Sequence, residues 1–370
     1  MTSRSSSVSG LGSIVVCTVG ILLLGTFATR RVQAQGGPDP RYQTRRSDCR
    51  HEPPPGKPLS IRRSDSGVIV HGYTAERVLT MTADASRLRG GDIVVCTEYG
   101  RVDIADSDDD QVRLQIRMEG LGEGSDNPRD AAVRVIDETT LHTYFTNSGG
   151  RLMARVWHST LGFTRPGGQP AFVSVRVLVP ARGSYRVTTE AFHGNVAIRR
   201  LSLSGATLRG NVGDKLKGIP GFIGQTELDN VELAGDVDID NLAGIPGVRA
   251  PVPAQMSSIA APILVKARVA STCRLVALTG GTLNIAIQPS PDLGVRALGQ
   301  ANEGQVNIRI DGAVAETPPI DSTFRVQSSF STSGIESKPI RIDIRAASVH
   351  GTVNIASIPA APLVPRAASP

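Results

Sequence analysis

From about residue 64 to residue 358 the apolar residues fall at every second position in short runs. Val112, Leu114, Ile116 and Met118 alternate with Arg113, Gln115 and Arg117, and Ile342 and Ile344 alternate with Arg341, Asp343 and Arg345. Side chains at i and i+2 of a strand share a face, so each run predicts a strand with one apolar side and one wet side. The most frequent form is Gly-x-Val-x-Ile. It stands at Gly100–Ile104, Gly194–Ile198, Gly235–Ile239, Gly304–Ile308 and Gly351–Ile355, with looser copies at Gly91–Val95 and Gly281–Ile285. Val and Ile are expected to point inward and the residue between them to meet water. Glycine is expected to supply a corner with positive φ. No helical periodicity or heptad run interrupts the pattern.

Further strands are expected at Val133–Val135, His142–Phe145, Leu152–Trp157, Ile263–Val269 and Cys273–Leu278. Loops are expected at 119–130, at 161–170 and at the acidic turn Asp106–Asp110. Phe172 to Val179 alternates and stops at Pro180. A turn at Arg182-Gly183, a strand from Tyr185 to Thr189 and the motif at Gly194 follow. A second repeat, Gly218-Ile219-Pro220-Gly221, returns as Gly244-Ile245-Pro246-Gly247. Its offset lies in the roughly 20–50 residue range of stacked repeat proteins. One such unit cannot bury its own apolar edge, so neighbours must stack on it.

A strand ending in Val-Pro, a turn, a strand and then Gly-x-Val-x-Ile is an order that resembles the bacterial "putative adhesin" domain families. These include the auto-transporter-adhesin head-like type. The resemblance covers residues 64–358. It implies an all-β fold, a β-helix or β-solenoid of stacked short strands, in exported proteins mostly without an assigned activity. The Pro-rich insert near residues 243–262 departs from that pattern.

Composition adds an address. Residues 1–34 read as a signal peptide, with Arg4 ahead of an apolar run from Leu11 to Phe27 and Val32-Gln33-Ala34 before the cut. The alternative is an uncleaved N-terminal anchor, because Arg30 and Arg31 lie near the cut. Residues 35–63 form a Pro/Arg-rich linker around Pro53-Pro54-Pro55, residues 64–358 the solenoid domain, and residues 359–370 a frayed Pro, Ala and Ser tail. The net charge of +6 sits in the leader and linker. The near-neutral body, with 4% aromatic residues, excludes a nucleic-acid binder.

Chemistry is sparse. There is no nucleophile elbow, zinc-protease motif, phosphate loop or Cys-x-x-Cys, so no catalytic, cofactor or metal residue is assigned. The histidines at 51, 71, 142, 158, 193 and 350 are scattered. Asp236, Asp238 and Asp240 alternate with Val237 and Ile239 and are expected to face solvent as a solubilising row. On a parallel β-helix such a row is also where glycan-cleaving enzymes keep paired carboxylates. Asp106 to Asp110 lacks the spacing of a calcium-binding loop. Cys49, Cys96 and Cys273 survive removal of the leader, which leaves three pairings and one spare thiol.

The expected function is that of a non-enzymatic exported envelope protein, periplasmic, cell-surface or extracellular, with a binding or structural role. Its rival is a carbohydrate-active enzyme on a β-helix. The sequence does not identify the partner; envelope polymers, glycans or a protein are the candidates, and the membrane is expected to be touched only through the N-terminal segment, if that is uncleaved. Asn195, Asp238, Asn284, Asn307 and Asn354 are expected to form a repeated polar row, with Trp157 the single tryptophan.

Overall fold

The computed structural model describes residues 56–122, 125–160, 171–210, 224–241, 261–322 and 325–358. The leader, most of the linker, both Gly-Ile-Pro-Gly repeats, the 161–170 loop and the tail lie outside the described residues. Within them the chain is all-β apart from one α-helix and a short 3-10 turn.

The chain enters through β1 (Lys57–Pro58), β2 (Ile61–Asp65), β3 (Ile69–His71) and β4 (Thr74–Asp84). There follow β5 (Gly90–Tyr99), β6 (Val102–Ser107), β7 (Gln111–Leu121), helix α1 (Pro128–Asp137), β8 (Thr139–Ser148) and β9 (Arg151–Thr160). Next come β10 (Phe172–Pro180), β11 (Ser184–His193), β12 (Val196–Arg199), β13 (Ser202–Gly210), β14 (Thr226–Leu233) and β15 (Val237–Asp240). They lead to β16 (Ile263–Val269), β17 (Cys273–Thr279), β18 (Leu283–Ile287), β19 (Leu293–Ala301) and β20 (Val306–Arg309). The chain closes with β21 (Ala313–Ala315), β22 (Ile320–Ser322), β23 (Arg325–Thr332), β24 (Ile340–Ser348) and β25 (Val353–Ser357).

All these strands belong to one hydrogen-bonded sheet, and two parallel ladders run through it. The first is β9-β5-β11-β13-β15-β17-β24-β19. The second is β10-β6-β12-β14-β16-β18-β25-β20. Consecutive strands alternate between the ladders, and the two touch where Ser202 and Leu203 pair with Glu232 and Leu233. Spatial order departs from chain order at both ends. The pair β9 and β10 lies outside β5 and β6. The pair β19 and β20 lies outside β24 and β25, which come later in the chain.

The register explains the motif. Val102, Val196, Ile263, Leu283 and Val353 stand in one row of the second ladder, and Ile104, Ile198, Leu228, Val265, Ile285 and Ile355 in another. These side chains are buried in one apolar cluster with the inward rows of the first ladder. Thr226 interrupts the first row. Its hydroxyl donates to Asn241 Oδ1 at 2.9 Å, and Asn241 Nδ2 donates to Ala261 O at 3.3 Å, so the buried polar atoms are partnered.

Two expectations are corrected here. The glycine of the motif does not mainly supply positive φ: of its copies only Gly100 does, at 152°. Its role is close approach. A Cβ on Gly194 would stand 1.4 Å from Gly100 O, and one on Gly351 would stand 2.4 Å from Gly281 O. Backbones of strands that neighbour each other in the ladder meet at these corners with no room for a side chain.

The second correction is α1, which takes the end of the expected loop at 119–130 and the expected strand at Val133–Val135, while β7 runs into the start of that loop as far as Leu121. Asn127 caps the helix by accepting from Asp130 N, Pro128 opens it, and Asp130 lies in its first turn. Ala132 and Ile136, four residues apart, are its buried pair, while Val133 and Val135 are only half-buried.

Both ends carry antiparallel strands. At the N-terminal end β8 continues the first ladder from β9 and β7 continues the second from β10. β4 backs β7, and α1 packs on both β7 and β4. At the C-terminal end β23 continues the first ladder from β19, and β21 and β22 pair with β23. No described strand continues the second ladder past β20.

Candidate functional site

The outward sides of the ladders hold the polar chemistry. On the second ladder, side chains on β10, β6, β12, β14 and β16 form a run of ion pairs, in register for Arg176 and Asp103 and diagonal for Arg199, which stands opposite Ala105 and Asp229. Arg176 Nε lies 3.9 Å from Asp103, Arg199 bridges Asp103 at 2.8 Å and Glu227 at 3.3 Å, and Lys266 lies 3.6 Å from Asp229. Adjacent strands about 4.8 Å apart bring such side chains within reach of one another. Ala197 sits in this row between Asp103 and Glu227. It points outward, as alternation predicts, yet it is only 3% exposed, because the neighbouring charged side chains close over it. Its expected contact with water is therefore wrong.

Farther along the same ladder the ion pairs give way to amides. Asn307 Nδ2 donates to Asn354 Oδ1 at 3.0 Å, and Asn354 Nδ2 donates to Asn284 Oδ1 at 2.7 Å. Three members of the expected polar row are thus brought together. The other two are not. Asn195 lies at a corner, where its Oδ1 accepts from Gln225 N at 2.8 Å. Asp238 lies in the first ladder.

The acidic row is also not where alternation placed it. Asp238 is 1% and Asp240 9% exposed, against the expected solvent-facing row. Asp238 stands between Thr207 and Val276 in register, and its carboxylate takes Arg274 Nη2 at 3.1 Å. Asp236 Oδ1 accepts from Arg274 N at 3.0 Å. One arginine residue therefore engages both carboxylates. The turn Asp106–Asp110 is likewise tied to arginines: Arg200 to Asp106, Arg113 to Asp109 and Arg182 to Asp110. The Ser107 hydroxyl beside Asp109, with the Gln111 amide and Arg113, holds the Asp109 carboxyl below its usual range. Among the described residues no group of three His, Cys, Asp or Glu side chains is placed to hold a metal ion.

Sequence reading missed one grouping. Trp157 on β9 stacks with His142 on β8 at 4.5 Å between ring centres and with Tyr144 at 5.7 Å. The β8–β9 register, which sets His142 opposite Trp157, was the missing signal. Of the cysteines, Cys96 is disulfide-bonded and Cys273 is a buried free thiol, which removes the pairings that use Cys273.

Comparison with models of known protein families and with curated proteins gives no match in either. Among solved structures the chain is similar to a "putative cell adhesion protein" of Clostridium sporogenes, with 9% identity and a TM-score of 0.38 over 76% of this chain and 100% of that one. It is similar too to a "putative adhesin" of Bacteroides fragilis, with 11% identity and a TM-score of 0.22 over 76% of this chain and 97% of that one. Likenesses at these scores carry no weight for fold or function.

Proposed function

We propose that this chain is an exported, adhesin-like, non-enzymatic envelope protein with a binding or structural role. In this reading a leader at 1–34 and a linker at 35–63 precede a β-solenoid over 64–358. The observation that carries the non-enzymatic part is the state of the carboxylates. Asp103, Glu227, Asp229 and Asp238 are each held in an ion pair with a basic residue of an adjacent ladder strand. A glycan-cleaving site needs two carboxyl groups free to face a sugar from either side, roughly 5–10 Å apart. Carboxylates spent on cross-strand pairs act as a stabilising and solubilising surface instead.

The solenoid reading is supported by the two parallel ladders, between which consecutive strands alternate. Export is supported by the disulfide at Cys96, since disulfides persist in oxidising compartments. A face of repeated pairs and amides suits a repeated partner, such as an envelope glycan, gripped weakly at each strand and strongly in sum.

The test incubates the mature protein with cell-wall and capsular polysaccharides and measures retention and release of reducing ends together. Retention without release is the expected result. Release that disappears in an Asp236→Asn/Asp238→Asn double variant sinks the reading in favour of an enzyme. Mass spectrometry of the protein from its native host checks the leader, with cleavage after Ala34 expected and an intact residue 1 pointing to an anchor.

A further inference from the structure

Among the described residues, the C-terminal end of the second ladder lacks a strand that every other ladder end has. At the N-terminal end β8 and β7 cover the outermost strands of both ladders. At the C-terminal end β23 covers β19, and β21 and β22 extend the first ladder by a further layer. β20 pairs with β25 on one side and, among the described residues, with no strand on the other.

The register says which groups are left. Val353 N donates to Gln305 O at 2.8 Å, with Val306 opposite Val353. In a parallel ladder this assigns the backbone groups of Gln305, Asn307 and Arg309 to β25. Val306 and Ile308 therefore turn their N–H and C=O groups to the open side.

The side chains at this ledge match its backbone. Val306, Ile308 and Ile310 are half-buried, although Val196 and Ile198, their equivalents in mid-ladder, are fully buried. Across from them, Phe330 lies opposite Ala297 and Val326 opposite Ala301. Antiparallel partners share a face, and both alanines are fully buried, so Phe330 and Val326 line the side of β23 that looks toward the missing strand. Both are half-buried. On the outer surface the amide row ends at Asn307, whose Nδ2 is used on Asn354 and whose Oδ1 remains to accept from a further neighbour.

We propose that the open edge of β20 is a strand-acceptor site for one extended segment of a partner protein, apolar at alternate positions, with a side-chain donor between them to continue the amide row. The partner's backbone would bond Val306 and Ile308, its apolar side chains would cover Val306, Ile308, Val326 and Phe330, and its donor would meet Asn307 Oδ1. Strand addition of this kind gains affinity from main-chain bonds and specificity from alternate side chains.

Two other occupants fit poorly. A second copy adding its own β20 would bring its β19 into the layer that β23 already fills. The ledge is about two strand spacings deep, roughly 10 Å, which admits a strand but not a second pair of ladders. The chain's own residues 359–370 carry prolines at 359, 362, 365 and 370, and the longest proline-free run, Arg366-Ala367-Ala368-Ser369, has no branched or aromatic apolar side chains to cover the ledge. The proposal stands on this edge alone and is independent of the glycan reading above.

The test uses the mature protein and a fluorescein-labelled peptide of sequence Gly-Thr-Val-Asn-Ile-Ala-Ser-Ile, which repeats residues 351–358. A second peptide is identical but N-methylated at alternate residues. Anisotropy is expected to show saturable binding of the first below about 1 mM and at least about tenfold weaker binding of the second. Val306→Pro removes an N–H that β25 does not use, and proline is tolerated at such an edge position. It is expected to keep the thermal transition and weaken peptide binding at least about tenfold. Unchanged binding to Val306→Pro, equal binding of both peptides, or no saturation by about 1 mM each overturns the proposal. So does sedimentation that shows a wild-type dimer converted to monomer by Val306→Pro, since the occupant would then be a second copy.

Discussion

Gly194–Ile198 and Gly304–Ile308 carry the same five-residue pattern and stand in the same register rows of the second ladder, yet they live in different surroundings. Val196 and Ile198 are fully buried between β6 and β14. Val306 and Ile308 are half-buried, with β25 on one side only. The motif gives a strand its direction and its two faces, and the neighbours decide whether the apolar face is dry. Those neighbours are not set by chain order. β20 is the last strand of its ladder although β25 follows it in sequence, because β25 returns to the inner place beside β18.

Aspartate at the two isoleucines tests the difference most harshly. Ile198→Asp puts a carboxyl into a fully buried apolar cluster and is expected to cost about 4–5 kcal/mol, enough to unfold a domain of ordinary stability. Ile308→Asp keeps access to water and is expected to cost about 1–2 kcal/mol. Chemical denaturation of both variants measures this. Equal losses would mean that the terminal strand is as enclosed as the middle one.

A methyl group on the motif glycine follows. In Gly194→Ala the new Cβ meets Gly100 O at 1.4 Å, between two ladder strands that cannot both move away. The expected cost is about 3 kcal/mol. In Gly304→Ala the nearest atom is Gly351 O at 2.3 Å, and the outermost strand is free to shift outward, so about 1 kcal/mol is expected. Thermal melts that rank the two the other way round would break the link between place in the ladder and room to relax.

Alternation was enough to read the strands and their inward rows, because Val196 and Ile198, Val353 and Ile355, and Val306 and Ile308 all turn the same face inward, whatever depth of burial their neighbours then give them. It failed where a property belongs to a pair of distant residues. Asp238 is dry because Arg274 comes alongside it, and Ala197 because Asp103 and Glu227 flank it, and neither pairing follows from the spacing of the chain. The stack of His142 and Tyr144 on Trp157 depends on the register of β8 and β9. The helix was missed for a local reason. Val133-Arg134-Val135 alternates like a strand, but the Asn127 cap and Pro128 select the period of four that buries Ala132 and Ile136.

The outward position of the motif gives a milder contrast. Ala197→Asp places a third carboxylate in a covered row between Asp103 and Glu227, with Arg199 already shared between them. It is expected to cost about 2 kcal/mol and to recover partly in high salt as the repulsion is screened. Asn307→Asp, the equivalent change on the exposed terminal strand, loses one side-chain hydrogen bond to Asn354 and is expected to cost about 0.5–1 kcal/mol. A harmless Ala197→Asp would show that the charged side chains over it swing aside freely.

The smallest effect uses a thiol as a reporter. Cys273 is 7% exposed on a mid-ladder strand. Burial, with the Asp236 charge adding to it, pushes its thiol from 9.0 up to about 12. The folded protein therefore holds the proton more tightly than the unfolded chain. Stability is unaffected by this group below about pH 9 and falls as pH rises from there toward 12, because only the unfolded chain releases the proton. At pH 8 the native protein is expected to react with Ellman's reagent only as fast as it opens, since the thiolate is the reactive form and is scarce there. Cys96, being in a disulfide, stays silent. Val306→Cys adds a thiol at the open ledge of β20, which is expected to react at the rate of an accessible cysteine with little change in the melting transition. Rapid labelling of Cys273 in the wild type, at a rate independent of denaturant, would show that mid-ladder strands open as readily as the terminal one and would erase the distinction between them.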